Sequence, residues 1–169
     1  MVSRSPCVTD ASILFDVVNG GVVHEMFQLP YIFLTSDLIA DIELQNPPFS
    51  EFHDEGLRKK ELSKLQSAEV RIIRNSQKNL SIYDISAFIL ARDQKIILLT
   101  GDDALRTFGL THSVEVHGVL WVLDMLITHG ILSKQEAARA LQQISDHNSY
   151  LPKKECAERI ALWSESSEV

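Results

Sequence analysis

Lys95-Ile-Ile-Leu-Leu-Thr100-Gly-Asp102-Asp-Ala-Leu-Arg106 is the stretch on which the fold reading turns. Lys95 to Thr100 forms a continuous apolar run, the pattern of a strand buried on both faces of a parallel sheet. Gly101-Asp102-Asp103 turns it into a helix from Ala104 to about Phe108. Downstream, Val114 to His117 reads as a fifth strand, and Gly118 leads into an apolar helix ending at His129-Gly130. Ser133-Lys-Gln-Glu136 is a capping box for the next helix, and Pro152 opens the last one in its first turn. Upstream, Ser81 to Arg92 places Ile82, Ile85, Phe88 and Ile89 on one side of a helix. Asn75 to Leu80 reads as a polar loop and Glu69 to Ile73 as a third strand. The charge-rich stretch from Phe49 to Ser67 reads as partly helical, around Gly56 to Gln66. Asp37 to Gln45 is expected to be a helix stopped by Asn46-Pro47-Pro48. Tyr31 to Thr35 is a buried strand, and Cys7 to Thr9 a short one. Ala11 to Asn19 is a helix, with Ile13, Leu14, Val17 and Val18 at helical spacing and Gly20-Gly21 ending it.

Strands alternating with helices imply an α/β fold, a parallel sheet with helices on both faces. In such sheets ligands bind at the carboxyl ends of the strands. The chain has 169 residues, 45% hydrophobic and 23% charged, which suits one soluble globular domain. Cys7 and Cys156 lie near opposite ends with no CxxC, so neither a disulfide scaffold nor a cysteine zinc site is expected. That usage points to a reducing compartment and hence the cytoplasm. No apolar run is long enough for a membrane span, and the residues after Arg4 do not form a signal peptide. The Ser/Glu tail from Ser164 to Val169 reads as frayed. Sixteen basic against 23 acidic residues leave a net charge of −7. Duplex binding by phosphate neutralisation wants the opposite balance. No GxGxxG, Walker A or GxSxG sequence is present, which excludes the common nucleotide-binding and serine-hydrolase signatures.

Acids gather where this topology would put chemistry. Asp10 directly follows the first strand, and Asp102 follows the clearest strand by one glycine, so both belong to one sheet edge. Each is also a good N-cap. Ser81-Ile-Tyr-Asp84 has capping-box form, yet Ala87, Phe88 and Ala91 share the helix face of Asp84. A carboxylate leaning inward there costs several kcal/mol, in order of magnitude, unless it is paired or metal-bound. In the helix after Thr35, Asp37 and Asp41 fall on the wet side. Glu43, at the edge of the apolar stripe, is the better inward carboxylate, with Asp41 in reserve. Four acids at one edge repel one another, and a hard divalent cation is the natural compensation. Such an ion supports displacement at phosphorus.

The ordered motifs Val8-Thr-Asp10-Ala-Ser12, Ala40-Asp-Ile-Glu43-Leu44, Leu80-Ser-Ile-Tyr-Asp84 and Leu99-Thr-Gly-Asp102-Asp-Ala-Leu-Arg106 resemble the PIN-domain family. That family includes the VapC-like ribonuclease toxins of prokaryotic toxin–antitoxin pairs. Val116-His-Gly118-Val-Leu-Trp-Val-Leu123 and Gly130-Ile-Leu-Ser133 extend the resemblance, which covers roughly Val8 to Ile144. It implies a three-layer α/β/α fold with about five parallel strands, a nuclease domain over residues 1–150, and a C-terminal helix and tail over 151–169. It also implies an acidic Mg²⁺ or Mn²⁺ pocket that cleaves single-stranded RNA. By the resemblance the catalytic acids are Asp10, Glu43, Asp84 and Asp102, with Asp10, Asp84 and Asp102 on the metal. Ser12 and Thr100 are supporting hydroxyls. Asp103 adds a neighbouring carboxylate, and which of Asp102 and Asp103 faces the pocket is open. The segment from Asn46 to Asn79 departs from the compact toxins.

Arg106 follows the Gly-Asp-Asp turn by one helical turn and can reach a phosphate, or form a surface ion pair. Arg58-Lys-Lys60 with Lys64 is the basic patch, readable also as a solvated face. The six histidines lack zinc-ligand spacing. Trp121, Leu123, Met125 and Leu126 read as core or dimer packing rather than a base-stacking platform. The resemblance to the PIN-like toxins, which usually form dimers, together with the apolar set Phe27, Leu29, Trp121 and Trp163, more than a single small core need use, implies a homodimer. The toxin resemblance adds an antitoxin partner. Two functions stay open: a metal-dependent endoribonuclease, favoured by the four-acid set, and a binding or regulatory module with an acidic pocket, favoured by the acidic balance.

Overall fold

The computed structural model describes residues 3–165. Five parallel strands form one sheet: β1 (Ser5–Thr9), β2 (Tyr31–Ser36), β3 (Arg58–Lys60), β4 (Ile97–Leu99) and β5 (Val116–His117). Their order is β3-β2-β1-β4-β5. The chain builds outward from β1 on one side, then crosses back to start the other, so the order reverses between β1 and β4. Cys7 stands opposite Phe33 on one flank and Ile97 on the other. Cys7 and Val8 are both fully buried, as a central strand covered on both faces requires.

Helices cover both faces. On one lie α4 (Lys64–Ser76), α5 (Ile82–Gln94) and α6 (Asp103–Thr111). On the other, α1 (Ala11–Asn19), α2 (Val23–Met26), α7 (Val119–Thr128) and α8 (Lys134–His147) pack together, and α9 (Lys153–Ser164) closes onto α8. A short α3 (Phe49–Glu55) precedes β3. The α/β/α expectation holds, with five parallel strands. Where helices approach closely, side-chain volume is limiting: a Cβ on Gly20 would lie 2.9 Å from Ile144 of α8.

The structure corrects the sequence reading between Asn46 and Asn79. Glu69 to Ile73 is not a strand but the middle of α4, which also takes in Asn75 and Ser76. Ser63 and Gln66 form a reciprocal capping box that starts this helix, with bonds of 3.1 and 2.9 Å. Val70 is buried and Ile73 packs against the core. The third strand is Arg58–Lys60, inside the region expected to be helical. Its three side chains are exposed, and it exists because it pairs with Leu34–Ser36 of β2. A cationic edge also discourages further strand addition.

Asp37 to Gln45 is a helical turn that widens into a π-turn over Ile39–Glu43, closed by Leu44 N–H donating to the Ile39 carbonyl at 2.9 Å. Phe27, Leu29 and Trp163 are buried within the chain, and Trp121 packs between His117 and Tyr31. The core therefore uses the apolar set expected to be left over. Ser164 ends α9 with Glu165 as its C-cap, and positions 166–169 of the Ser/Glu tail lie outside the described residues. Among those residues no helix is long and apolar enough to cross a membrane.

Candidate active site

The strand-order reversal between β1 and β4 opens the crevice in which a doubly wound sheet binds ligands. Asp10 stands at the end of β1. Its Oδ1 accepts from Ile13 N–H at 3.2 Å, capping α1, and from the Ser12 hydroxyl at 2.6 Å. Its Oδ2 accepts from the Thr100 hydroxyl. The residue is 4% exposed. Burial pushes its carboxyl up to about 6 against the pull of those three donors, and the Asp84 charge raises it further. The two hydroxyls also accept: Ser12 Oγ from Gly101 N–H at 2.9 Å, and Thr100 Oγ1 from Asp102 N–H at 3.0 Å. Ser12 and Thr100 thereby lash the β1–α1 turn to the β4–α6 turn.

Asp102 caps α6 through Oδ1, which accepts from Leu105 N–H at 2.8 Å. Its charge raises the carboxyl of Asp84. Asp103 lines both the groove of Arg106 and His117 and the smaller concavity beside Asp102, but it is not among the charges that raise Asp10, Glu43 or Asp84. Asp102 is thus the neighbour that acts on the acid set. Asp84 makes the capping box with Ser81, at 2.8 and 3.1 Å. The box uses only Oδ2, and Oδ1 takes no hydrogen bond from the described residues. Cap and pocket acid are therefore compatible uses of one side chain. Burial is the main reason its carboxyl is raised.

Glu43 arrives on the π-turn, a distortion that recurs at functional sites. Burial first, then the charges of Asp10 and Asp84, push its carboxyl up to about 7. Asp41 points away and pairs with Lys59 at 2.9 Å in an exposed ion pair. The structure thus brings Asp10, Glu43, Asp84 and Asp102 into one electrostatic group.

Two polar pairs were not legible as site features. Ser36 at the end of β2 and Ser86 of α5, both fully buried, are 2.6 Å apart. Ser86 donates its proton to the Tyr83 carbonyl, so Ser36 is the donor between them, while Ser36 Oγ accepts from Ile39 N–H. This pair fastens the turn bearing Glu43 to the helix bearing Asp84. A serine between Ile85 and Ala87 on an apolar face was the available signal. The second pair is Asp16 with Asn148, whose amide donates to Asp16 Oδ1 at 3.0 Å.

The donor set suits a hard cation: every candidate ligand is a carboxylate oxygen, and no basic side chain is bonded into the group. Among the described residues no three His, Cys, Asp or Glu form a ready cage. None of the histidines joins the group; His117, for instance, pairs with Glu115 and stacks on Trp121.

A family model described as PIN domain matches residues 6–165. No curated protein matches significantly. Among solved structures, the chain is similar to a PilT N-terminus domain protein from the hyperthermophilic archaeon Sulfolobus solfataricus. Identity is 16% and TM-score 0.54, over 73% of this chain and 95% of that one. It is also similar to a protein of Pyrobaculum aerophilum, with 17% identity and TM-score 0.50, over 76% and 98% of the two chains. These likenesses show the fold, and the family match covers nearly all the described residues: the chain belongs to the PIN-domain family.

Proposed function

We propose that this PIN domain, generally a nuclease fold, is a metal-dependent endoribonuclease acting on single-stranded RNA, the toxin of a toxin–antitoxin pair. The observation that carries the reading is the convergence of four carboxylates at the β1/β4 crevice, two of them pushed up to about 6 and about 7 with no cation bonded into the group. Asp10, Asp84 and Asp102 are the residues that would hold Mg²⁺ or Mn²⁺. Such an ion supplies an activated water and stabilises the leaving oxygen of a phosphodiester.

The chain's own residues do the rest. Ser12 and Thr100 orient Asp10 by direct hydrogen bonds. The Ser36–Ser86 pair fastens the turn bearing Glu43 to the helix bearing Asp84. Arg106 forms no ion pair among the described residues, so its guanidinium is free for a phosphate. No imidazole faces the acids, which leaves attack through the RNA 2′-hydroxyl without its usual base. Hydrolysis leaving a 5′-phosphate and a 3′-hydroxyl follows.

The alternative, a binding or regulatory module, draws on the saturation of Asp10 by three protein donors and the lack of a ready cage. Manganese-dependent cleavage of a single-stranded RNA panel decides between them. Cleavage by the wild type and its loss in Asp84→Asn, with folding kept, supports the nuclease. Intact RNA, metal-independent cleavage or 2′,3′-cyclic ends would overturn it. Growth arrest on expression, relieved by Asp84→Asn, tests the toxin role.

A further inference from the structure

Tyr150 is 91% exposed, an aromatic ring without an aromatic partner among the described residues. It stands where two concavities meet. One, of about 320 Å³, is lined by Ser12, Asp102 and Asn148 and so opens onto the acid group. The other, of about 700 Å³, is lined by Arg106, His117, Trp121 and Arg159. Tyr150, Asp103 and Gly101 line both.

The ring is exposed but its backbone is held. Tyr150 N–H donates to Asn148 Oδ1 at 3.0 Å, and the Asn148 amide donates to Asp16. Asp16 is 3% exposed and lies on α1, the helix that Asp10 caps. One hydrogen-bonded chain therefore registers Tyr150 against the helix that carries Ser12. Within the larger groove, Arg159 is engaged by Asp124 and Glu155, and the Trp121 ring by His117. Asp103, Arg106 and Tyr150 are the polar or aromatic groups left without a side-chain partner among the described residues, and the last two offer a ligand a bidentate cation and an open aromatic face. That pair matches a phosphate and an unstacked base, the two parts of a single-stranded nucleotide. A groove of this size lies within the range of small-ligand pockets.

We propose that this groove is a nucleotide subsite flanking the scissile position, in which Tyr150 stacks a base of single-stranded RNA and Arg106 holds the neighbouring phosphate. The proposal rests on the nuclease reading for its substrate class. It predicts discrimination against duplexes, whose bases are not available for stacking.

The test is fluorescence anisotropy with a labelled single-stranded RNA, in the Asp84→Asn background so that the strand stays intact. Tyr150→Ala is expected to weaken binding about ten-fold and Tyr150→Phe to leave it within about two-fold, as base stacking on an aromatic requires. An abasic strand should be bound equally by both. In the wild-type background, Tyr150→Ala should raise KM with kcat largely kept. Equal RNA affinity with and without the Tyr150 ring would overturn the subsite and leave the groove to a protein segment. Wild-type cleavage indifferent to Tyr150→Ala removes the subsite and keeps the nuclease. Tyr150-dependent binding without any cleavage keeps the subsite and removes the nuclease.

Discussion

The Thr100 hydroxyl donates to Asp10 Oδ2 across 90 residues of sequence, joining the ends of the two central strands. Thr100 Oγ1 in turn accepts from Asp102 N–H, so Thr100 positions two acids at once. Thr100→Val keeps the shape and removes both bonds. Stability should fall by about 1–3 kcal/mol, the cost of leaving buried polar partners unsatisfied. Because this donor lowers the Asp10 carboxyl, its loss should also move the acid limb of cleavage to higher pH. Urea denaturation and a pH–rate profile check both, and Thr100→Ser should restore them.

Divalent ions should stabilise the fold through the acid group. Mn²⁺ is expected to raise the thermal midpoint of the wild type and not of Asp10→Asn/Asp102→Asn. Burial raises the Asp10 carboxyl to about 6, so metal competes with a proton there and the shift should be larger at pH 8 than at pH 6. An equal response from the wild type and the double variant would refute the assignment.

Asp16 sets a pH dependence away from the acid group. Burial pushes its carboxyl up to about 6, and its Oδ2 has no hydrogen-bond partner among the described residues. The folded chain then keeps a proton that the unfolded chain has lost, so stability falls as pH rises from about 4 through 6. The shifts of Asp10 and Glu43 act in the same direction. Asp16→Asn keeps the acceptor for Asn148 and removes the charge. It should flatten part of the slope and raise the thermal midpoint at pH 8 above that of the wild type. An unchanged slope would show that Asp16 is not the group responsible.

Gly118 makes room for Arg106. A Cβ there would sit 3.0 Å from Arg106 Nη2 and at an ordinary 3.6 Å from the Thr100 carbonyl. Only the far end of a flexible side chain must yield, so Gly118→Ala should fold normally while displacing the guanidinium. KM for RNA should rise several-fold with the thermal midpoint nearly constant. An unchanged KM would argue against phosphate contact by Arg106 in its present position.

Where the sequence was readable, local chemistry and tertiary packing agreed. Ser81-x-x-Asp84 and Ser133-x-x-Glu136 announce α5 and α8, and both capping boxes are present. Within the Lys95–Thr100 run only Ile97–Leu99 is strand, read correctly because β4 is covered on both faces, whereas Lys95 is exposed and ends α5 in the left-handed region. The failures came where context overruled pattern. Val70, Ile72 and Ile73 give a β-like cluster, although the Ser63-x-x-Gln66 box before them was a legible helix start. Arg58–Lys60 carries no apolar signal at all, since an edge strand with three exposed cations is defined only by the partner it pairs with. At the site, the order of the acids was legible, and so was the preference for Glu43 over Asp41. The π-turn that delivers Glu43 was not, because its first residue, Ile39, is held by Ser36, whose hydroxyl is in turn bonded to Ser86 50 residues away, a tertiary contact no local pattern shows.

The strand order has a consequence for the chain as it leaves the ribosome. β1 meets β2 early, but its other neighbour, β4, is translated only after most of the first hundred residues have emerged. At elongation rates of about 5–20 residues per second, β1 waits several seconds for that partner. During the wait the growing polypeptide has Asp10 and Glu43 but neither Thr100 nor Asp102. Its acids are still scattered along a chain that cannot yet form the crevice. The four-acid crevice is therefore completed late in synthesis, and a chain terminated before β4 never assembles it.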